Sequence, residues 1–174
     1  MGEIVLFLGG AKSGKTRAAL TLVESLAPPR YYLATAEPLD AEMYLRIQNH
    51  RAERGPDWQT VEEPLEPAGA LALIPDDRPV LLDCLTLWFS NLMGRRPGLL
   101  DPAPFLADVD RLAASALARG GVTVIVSNDV GGGLVPMEPS LRFFRDLSGL
   151  AHQRLAAQAS AVYMVNAGLS WKIK

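Results

Sequence analysis

The stretch Ile4-Val5-Leu6-Phe7-Leu8-Gly9-Gly10-Ala11-Lys12-Ser13-Gly14-Lys15-Thr16 decides the fold. Five consecutive aliphatic or aromatic residues read as a strand buried on both faces, and the glycines that follow stop it abruptly. Gly9 and Gly14 bracket four residues ahead of Lys15-Thr16, so the turn matches G-x-x-x-x-G-K-[ST] in its proper setting of strand before and helix after. Phosphate needs closely approaching backbone N–H donors, and glycine permits both the tight turn and the approach. A helix starting near Gly14 adds its positive N-terminal end. Lys15 then reaches the β and γ phosphates of a bound nucleotide, and the Thr16 hydroxyl ligates Mg²⁺.

Beyond this turn, short aliphatic runs alternate with longer amphipathic stretches, the pattern of an α/β fold with a mostly parallel sheet flanked by helices. The expected strands are Ile4 to Leu8, Arg30 to Ala34, Val80 to Asp83, Val122 to Asn128 and Ala161 to Val165. The expected helices are Lys15 to Leu26, Asp40 to Arg54, Pro104 to Arg119 and Ser140 to Gln158. Trp58 to Leu65 reads as a short extended piece and Pro67 to Leu73 as a brief helix entering the turn Pro75-Asp76-Asp77-Arg78-Pro79. Arg95-Arg96-Pro97-Gly98 and Gly131-Gly132-Gly133 read as surface loops. With no repeat or linker, residues 1–174 are expected to form a single nucleotide-binding domain.

Composition narrows the classes. The 174 residues are 49% hydrophobic with a net charge of −2, which argues against a general nucleic-acid surface, since a polyanion needs clustered Lys and Arg. No apolar run approaches the roughly eighteen residues of a membrane span, and a cytoplasmic enzyme is expected. The single cysteine, Cys84, has no partner for an internal disulfide. It reads as a small buried residue rather than a nucleophile. No Cys or His cluster has metal-ligand spacing, so any metal arrives with the nucleotide. Asp83, closing the run Val80-Leu81-Leu82-Asp83, is placed to hold that Mg²⁺ directly or through water. A helix N-cap is the competing use of an Asp there.

The two histidines differ in setting. Arg46, His50 and Arg54 recur at intervals of four and share a face of the expected helix, which sets an imidazole between guanidiniums. Arg forks neutralise phosphate oxygens while a neutral imidazole nitrogen can attack phosphorus, and flanking cations favour the neutral ring. By spacing alone, an Arg-rich helix with one His is more often a solvated face. His152, in Ala151-His152-Gln153-Arg154, has nothing to lift it above that bland reading.

A longer ordered set of segments changes the balance. It comprises Leu8 to Arg17, Tyr32-Leu33-Ala34-Thr35-Ala36, Glu42-Met43, Arg46-Ile47 and His50-Arg51, then Leu82-Asp83-Cys84-Leu85-Thr86 with Asn91-Leu92. Ser127-Asn128-Asp129-Val130-Gly131, Val135-Pro136, Phe144-Arg145-Asp146 and Gln153-Arg154-Leu155-Ala156 complete it. In this set the chain resembles, nearly end to end, the bifunctional adenosylcobinamide kinase and adenosylcobinamide-phosphate guanylyltransferase family of cobalamin biosynthesis. The resemblance implies a RecA-like phosphate-loop NTPase fold and a homotrimer. It implies that His50 carries GMP covalently. It also implies that Gly9, Gly10, Ala11, Lys12, Ser13, Gly14, Lys15, Thr16, Ala34, Thr35, Ala36, Arg51, Ala52, Glu53, Arg54 and Glu62 bind nucleotide, joining Asp83, which its place at the strand end already assigns to the nucleotide and its metal. Lys15 joins His50 as a catalytic residue.

The implied chemistry has two parts. The γ-phosphoryl of ATP or GTP passes to the hydroxyl of the aminopropanol arm of adenosylcobinamide. His50 then takes GMP from GTP, expelling pyrophosphate, and the cobinamide phosphate resolves the adduct to adenosylcobinamide-GDP. The chain departs from the family at Asp129, where glutamate is usual, and at Met137, where an acidic residue is usual and Glu138 follows one place later. Asn49 stands where some members have a second histidine. Two other readings remain at this stage: a phosphate-loop small-molecule kinase without a covalent intermediate, and a non-catalytic nucleotide-gated interaction module. Trp88, Phe89 and Met137 could touch the corrinoid, though core packing is the expected use of each.

Overall fold

The computed structural model describes residues 2–52 and 54–174, with the side chains of Arg46 and His50 outside the description. In chain order the elements are β1 (Glu3–Gly9), α1 (Lys15–Glu24), β2 (Arg30–Ala34), α2 (Ala41–Ala52), β3 (Trp58–Glu62), α3 (Pro67–Leu73) and β4 (Val80–Asp83). There follow α4 (Leu85–Arg95), α5 (Ala103–Ala118), β5 (Val122–Asn128), α6 (Pro139–Gln158), β6 (Ala161–Asn166) and β7 (Leu169–Lys172). One seven-stranded sheet runs β3-β2-β4-β5-β1-β6-β7. All neighbours pair in parallel except β6 with β7.

The alternation of side chains along each strand explains why β1 is apolar throughout. Ile4, Leu6 and Leu8 enter the core built with α3 to α6, among Leu71, Leu85, Trp88, Phe105, Leu112, Leu147 and Leu155. Val5 and Phe7 enter the opposite core, against Ala19, Leu20 and Val23 of α1. Each fully buried large aliphatic or aromatic side chain contributes about 1.5–3 kcal/mol, so covering both sheet faces fixes the helices in place. The turn at residues 75–79 is held by the buried Arg119, whose guanidinium donates to the carbonyls of Leu71, Ile74, Pro75 and Arg78.

Two elements differ from the sequence expectation. The sequence reading assigns no helix between Asp83 and Pro104, yet α4 occupies residues 85–95, burying Leu85, Trp88, Phe89 and Leu92. That 3-1-3 spacing is itself a helical stripe, with Ser90, Gly94 and Arg95 exposed on the other side. The hairpin of β6 and β7 was also not expected. Its two-residue turn places Ala167 at φ 51 and Gly168 at φ 78, left-handed values usually signalled by Asn-Gly rather than Ala-Gly. Boundaries shift as well. Asp40 caps α2 by accepting from the Met43 N–H at 2.7 Å, which puts it outside the helix. β3 ends at Glu62, where the Glu63 carboxylate turns back to accept the N–H groups of Leu65 and Glu66.

Candidate nucleotide site

β1, β4, β5 and β2 all deliver their C-terminal ends to one crevice, where parallel α/β sheets place their ligands. A Cβ at Gly9 would come within 2.3 Å of the Val165 carbonyl oxygen and 2.6 Å of Ser13 Oγ, so the turn closes only on glycine. Gly14 has φ 94 and begins α1 without any side-chain cap, which leaves the first-turn N–H groups to an external acceptor. The turn is braced from both sides. The Gly168 N–H donates to Ser13 O at 2.8 Å and the Asp129 N–H to Gly9 O at 2.9 Å. The buried Lys15 folds back over the turn, its ammonium donating to Gly10 O at 2.9 Å. Gly10, Ala11 and Lys12 are exposed along the rim.

Asp83 is the focus of the crevice. Its Oδ2 accepts from the Thr16 hydroxyl at 3.0 Å and from the Tyr32 hydroxyl at 3.0 Å. The N-cap position of α4 belongs to Cys84, with no side-chain capping bond, so the competing use of Asp83 as a cap does not hold. Burial, with the Asp83 charge adding to it, pushes the Tyr32 phenol well above its usual range and keeps it a donor. A hydroxyl and a carboxylate at this spacing beside a phosphate turn are hard oxygen donors suited to Mg²⁺. Among the described residues no cluster of three or more His, Cys, Asp or Glu could hold a metal alone, so phosphate oxygens and water would complete the shell.

Thr35, expected to touch nucleotide, is fully buried, while its neighbours Ala34 and Ala36 line the crevice. Its hydroxyl accepts from the Cys84 N–H at 2.8 Å and donates to the Cys84 carbonyl at 2.8 Å, pinning the backbone that follows Asp83. Thr35→Val keeps the shape but leaves the Cys84 N–H buried and unpaired, at about 1–3 kcal/mol, while the Cys84 carbonyl keeps the Trp88 N–H at 3.2 Å. Denaturant unfolding is therefore expected to show a loss of about 2 kcal/mol, and a loss under ~0.5 kcal/mol would contradict this role. Asn91 secures the same segment from α4, donating to the carbonyls of Thr35 and Pro64. Cys84 is buried, and desolvation reinforced by the Asp83 charge raises its thiol to about 11, which makes it a poor nucleophile at neutral pH.

The open side of the crevice is walled by α2 through Met43, Ile47 and Arg51. His50 and Arg46 belong to this helix, but their side chains lie outside the described residues, as does Glu53 altogether. α2 ends at Ala52, so Arg54 leaves the face the sequence reading assigned to it. Instead its guanidinium stacks 3.6 Å above the Tyr32 ring and donates to Thr60 Oγ1 at 3.2 Å. Arg51 approaches Glu62 at 3.8 Å, both exposed, a pairing of little energetic weight. Ala52 is exposed.

Tyr32, Met43, Ile47, Thr60, Leu87 and Asn128 also line the crevice and were not singled out as binding residues. For Tyr32 and Asn128 the signal was available: each sits at or near the C-terminal end of an expected strand. His152 is half-buried against Ser127, Nε2 to Oγ 2.7 Å, and burial lowers its pKa. Trp88 and Phe89 pack in the core as expected, whereas Met137 is 93% exposed and is not a core residue.

Comparison with known proteins agrees with this geometry. The family model described as cobinamide kinase / cobinamide phosphate guanyltransferase matches residues 5–173. The chain is 38% identical to the bifunctional adenosylcobalamin biosynthesis protein CobU of Salmonella typhimurium, across 98% of this chain and 99% of that protein. It is 38% identical to the bifunctional adenosylcobalamin biosynthesis protein CobP of Pseudomonas aeruginosa, across 97% and 96%. Among solved structures, a prototypical ATPase from a bacterial type III secretion system superposes with TM-score 0.62 at 10% identity, covering 99% of this chain and 57% of that one. That likeness concerns the fold, which is that of a phosphate-loop NTPase.

Proposed function

The chain belongs to the cobinamide kinase and cobinamide phosphate guanylyltransferase family, and from that premise we propose that one crevice serves both reactions. It phosphorylates adenosylcobinamide with ATP or GTP, and then transfers GMP from GTP through His50 to give adenosylcobinamide-GDP. The observation that carries this reading is the convergence of Lys15, Thr16 and Asp83 at the phosphate turn, with α2 forming the opposite wall.

In the kinase step the turn and the α1 N-terminus hold the phosphate chain, and Lys15 moves from Gly10 O to the β and γ oxygens. Thr16 and Asp83 would hold Mg²⁺, which neutralises charge on the transferring phosphoryl group. The substrate hydroxyl bonds to the γ-phosphorus as the β–γ bridging bond breaks, and its proton passes to solvent. In the second step an imidazole nitrogen of His50 attacks the α-phosphorus and pyrophosphate departs, stabilised by the same Lys15 and turn. An oxygen of the cobinamide phosphate then attacks that phosphorus, and the histidine leaves as the neutral ring. Arg51, Arg54 and Glu62 hold the nucleoside side of GTP.

We read residues 1–174 as one domain, supported by the single sheet. A homotrimer in the cytoplasm fits the same reading. The trimer is supported by exposed Leu39, Tyr44 and Leu45 around α2, apolar surface of the kind a neighbouring subunit covers. The direct test supplies adenosylcobinamide, GTP and Mg²⁺ to the purified protein and follows products by mass. Adenosylcobinamide phosphate followed by adenosylcobinamide-GDP is expected. Accumulation of the phosphate alone would favour a simple kinase, and bound GTP without turnover an interaction module.

A further inference from the structure

We propose that Tyr32 is a positioning residue for Asp83, its hydroxyl setting the carboxylate that holds the metal and its ring clamped by Arg54 just beyond the histidine-bearing helix. The inference rests on the metal reading of Thr16 and Asp83 given above. Thr16 approaches Asp83 from α1 and Tyr32 approaches it from β2, both on Oδ2 at 3.0 Å. Two donors from separate elements fix the plane of a carboxylate that one donor would leave free to rotate. Tyr32 is itself immobilised. It is 5% exposed, its ring meets the Trp58 ring edge-on at 6.4 Å, and the Arg54 guanidinium covers it at 3.6 Å.

The second half of the inference follows from where Arg54 lies. It stands two residues past Ala52, the last residue of α2, and is tied to β3 through Thr60. A shift of the α2 C-terminus is thus transmitted to the phenol and from there to Asp83, which links the nucleophile's helix to the metal carboxylate through two side chains. A tyrosine serving only as core filling has a ring that matters and a hydroxyl that does not, which separates the two roles experimentally.

The test uses the full chain. Binding of Mn²⁺, a probe for the same oxygen donors, is measured by the electron paramagnetic resonance of free Mn²⁺ in the presence of GTP. GTP affinity in EDTA and thermal midpoints are measured alongside, for wild type, Tyr32→Phe, Asp83→Asn and Arg54→Ala. Tyr32→Phe keeps the ring and its stacking. It is expected to weaken Mn²⁺ about tenfold, or ~1.4 kcal/mol, with metal-free GTP affinity unchanged. Arg54→Ala, read at GTP concentrations that saturate the variant because Arg54 also holds nucleotide, is expected to weaken Mn²⁺ about twofold, or ~0.5 kcal/mol, acting through the ring. If Tyr32→Phe loses cooperative unfolding, the Arg54→Ala result decides. Unaltered Mn²⁺ affinity in Tyr32→Phe together with weakening in Asp83→Asn overturns the role of Tyr32 and leaves the metal site standing. Unaltered affinity in all three removes the metal reading as well.

Discussion

Lys15→Ala is expected to depress both phosphoryl transfer and guanylyl transfer by about 10²–10³-fold in kcat, corresponding to ~3–4 kcal/mol of lost transition-state stabilisation. The reason is that both reactions develop charge on the same phosphate chain: on the γ group and its leaving oxygen in one, on departing pyrophosphate in the other. The ammonium lies in the turn, donating to Gly10 O from a buried position, so it reaches the phosphates by a short swing within the crevice. Lys15→Arg is not expected to rescue, because a planar fork cannot occupy the space of a compact ammonium in so tight a turn. Steady-state kinetics of both half-reactions checks this. A variant that lost one activity and kept the other at wild-type level would show that the two reactions do not share the turn.

His50→Ala carries the other large effect, and in contrast it is selective. Removing a covalent nucleophile leaves only binding and orientation, so guanylyl transfer is expected to fall by about 10⁴-fold or more. The kinase step, in which the substrate hydroxyl and not the imidazole attacks phosphorus, is expected to stay within about fivefold of wild type, a change of only ~1 kcal/mol. α2 meets the crevice through Met43, Ile47 and Arg51, and an alanine at a helical position preserves the backbone. Product analysis separates the two steps. Equal loss of both in a folded variant would contradict the separation of roles.

How much of this was legible before any coordinates follows from which signals are local. The phosphate turn was fully legible, because the residues that make it are contiguous and their spacing is dictated by the turn itself. β1, β2, β4 and β5 were legible with their limits nearly unchanged, since strands covered on both faces are near-continuous apolar runs, with polar residues mostly small or at their ends. The helix α4 was missed although its pattern was present. α4 carries the period in both its buried stripe, Leu85, Trp88, Phe89 and Leu92, and its exposed Ser90, Gly94 and Arg95, yet its start lies only two residues after the end of β4. Of the partners of Asp83, Thr16 was legible as sharing a Mg²⁺ site with it, whereas Tyr32 was not legible. Thr16 lies 67 residues and Tyr32 lies 51 residues away in sequence, and only the strand order β2-β4-β5-β1 brings them together. Thr35 shows how a segment can be read correctly and its side chain misread. The alternation along Ala34-Thr35-Ala36 turns the hydroxyl inward, away from the crevice its neighbours line.

The most direct measurement of the central claim is incubation of the protein with GTP labelled at the α-phosphate, without corrinoid, followed by denaturation and peptide mapping. The expected result is one label per chain, stable in base and labile in acid, on the peptide containing His50 and missing from His50→Ala. A folded wild-type protein that stays unlabelled while still producing adenosylcobinamide-GDP, or that carries the label on another residue, contradicts it.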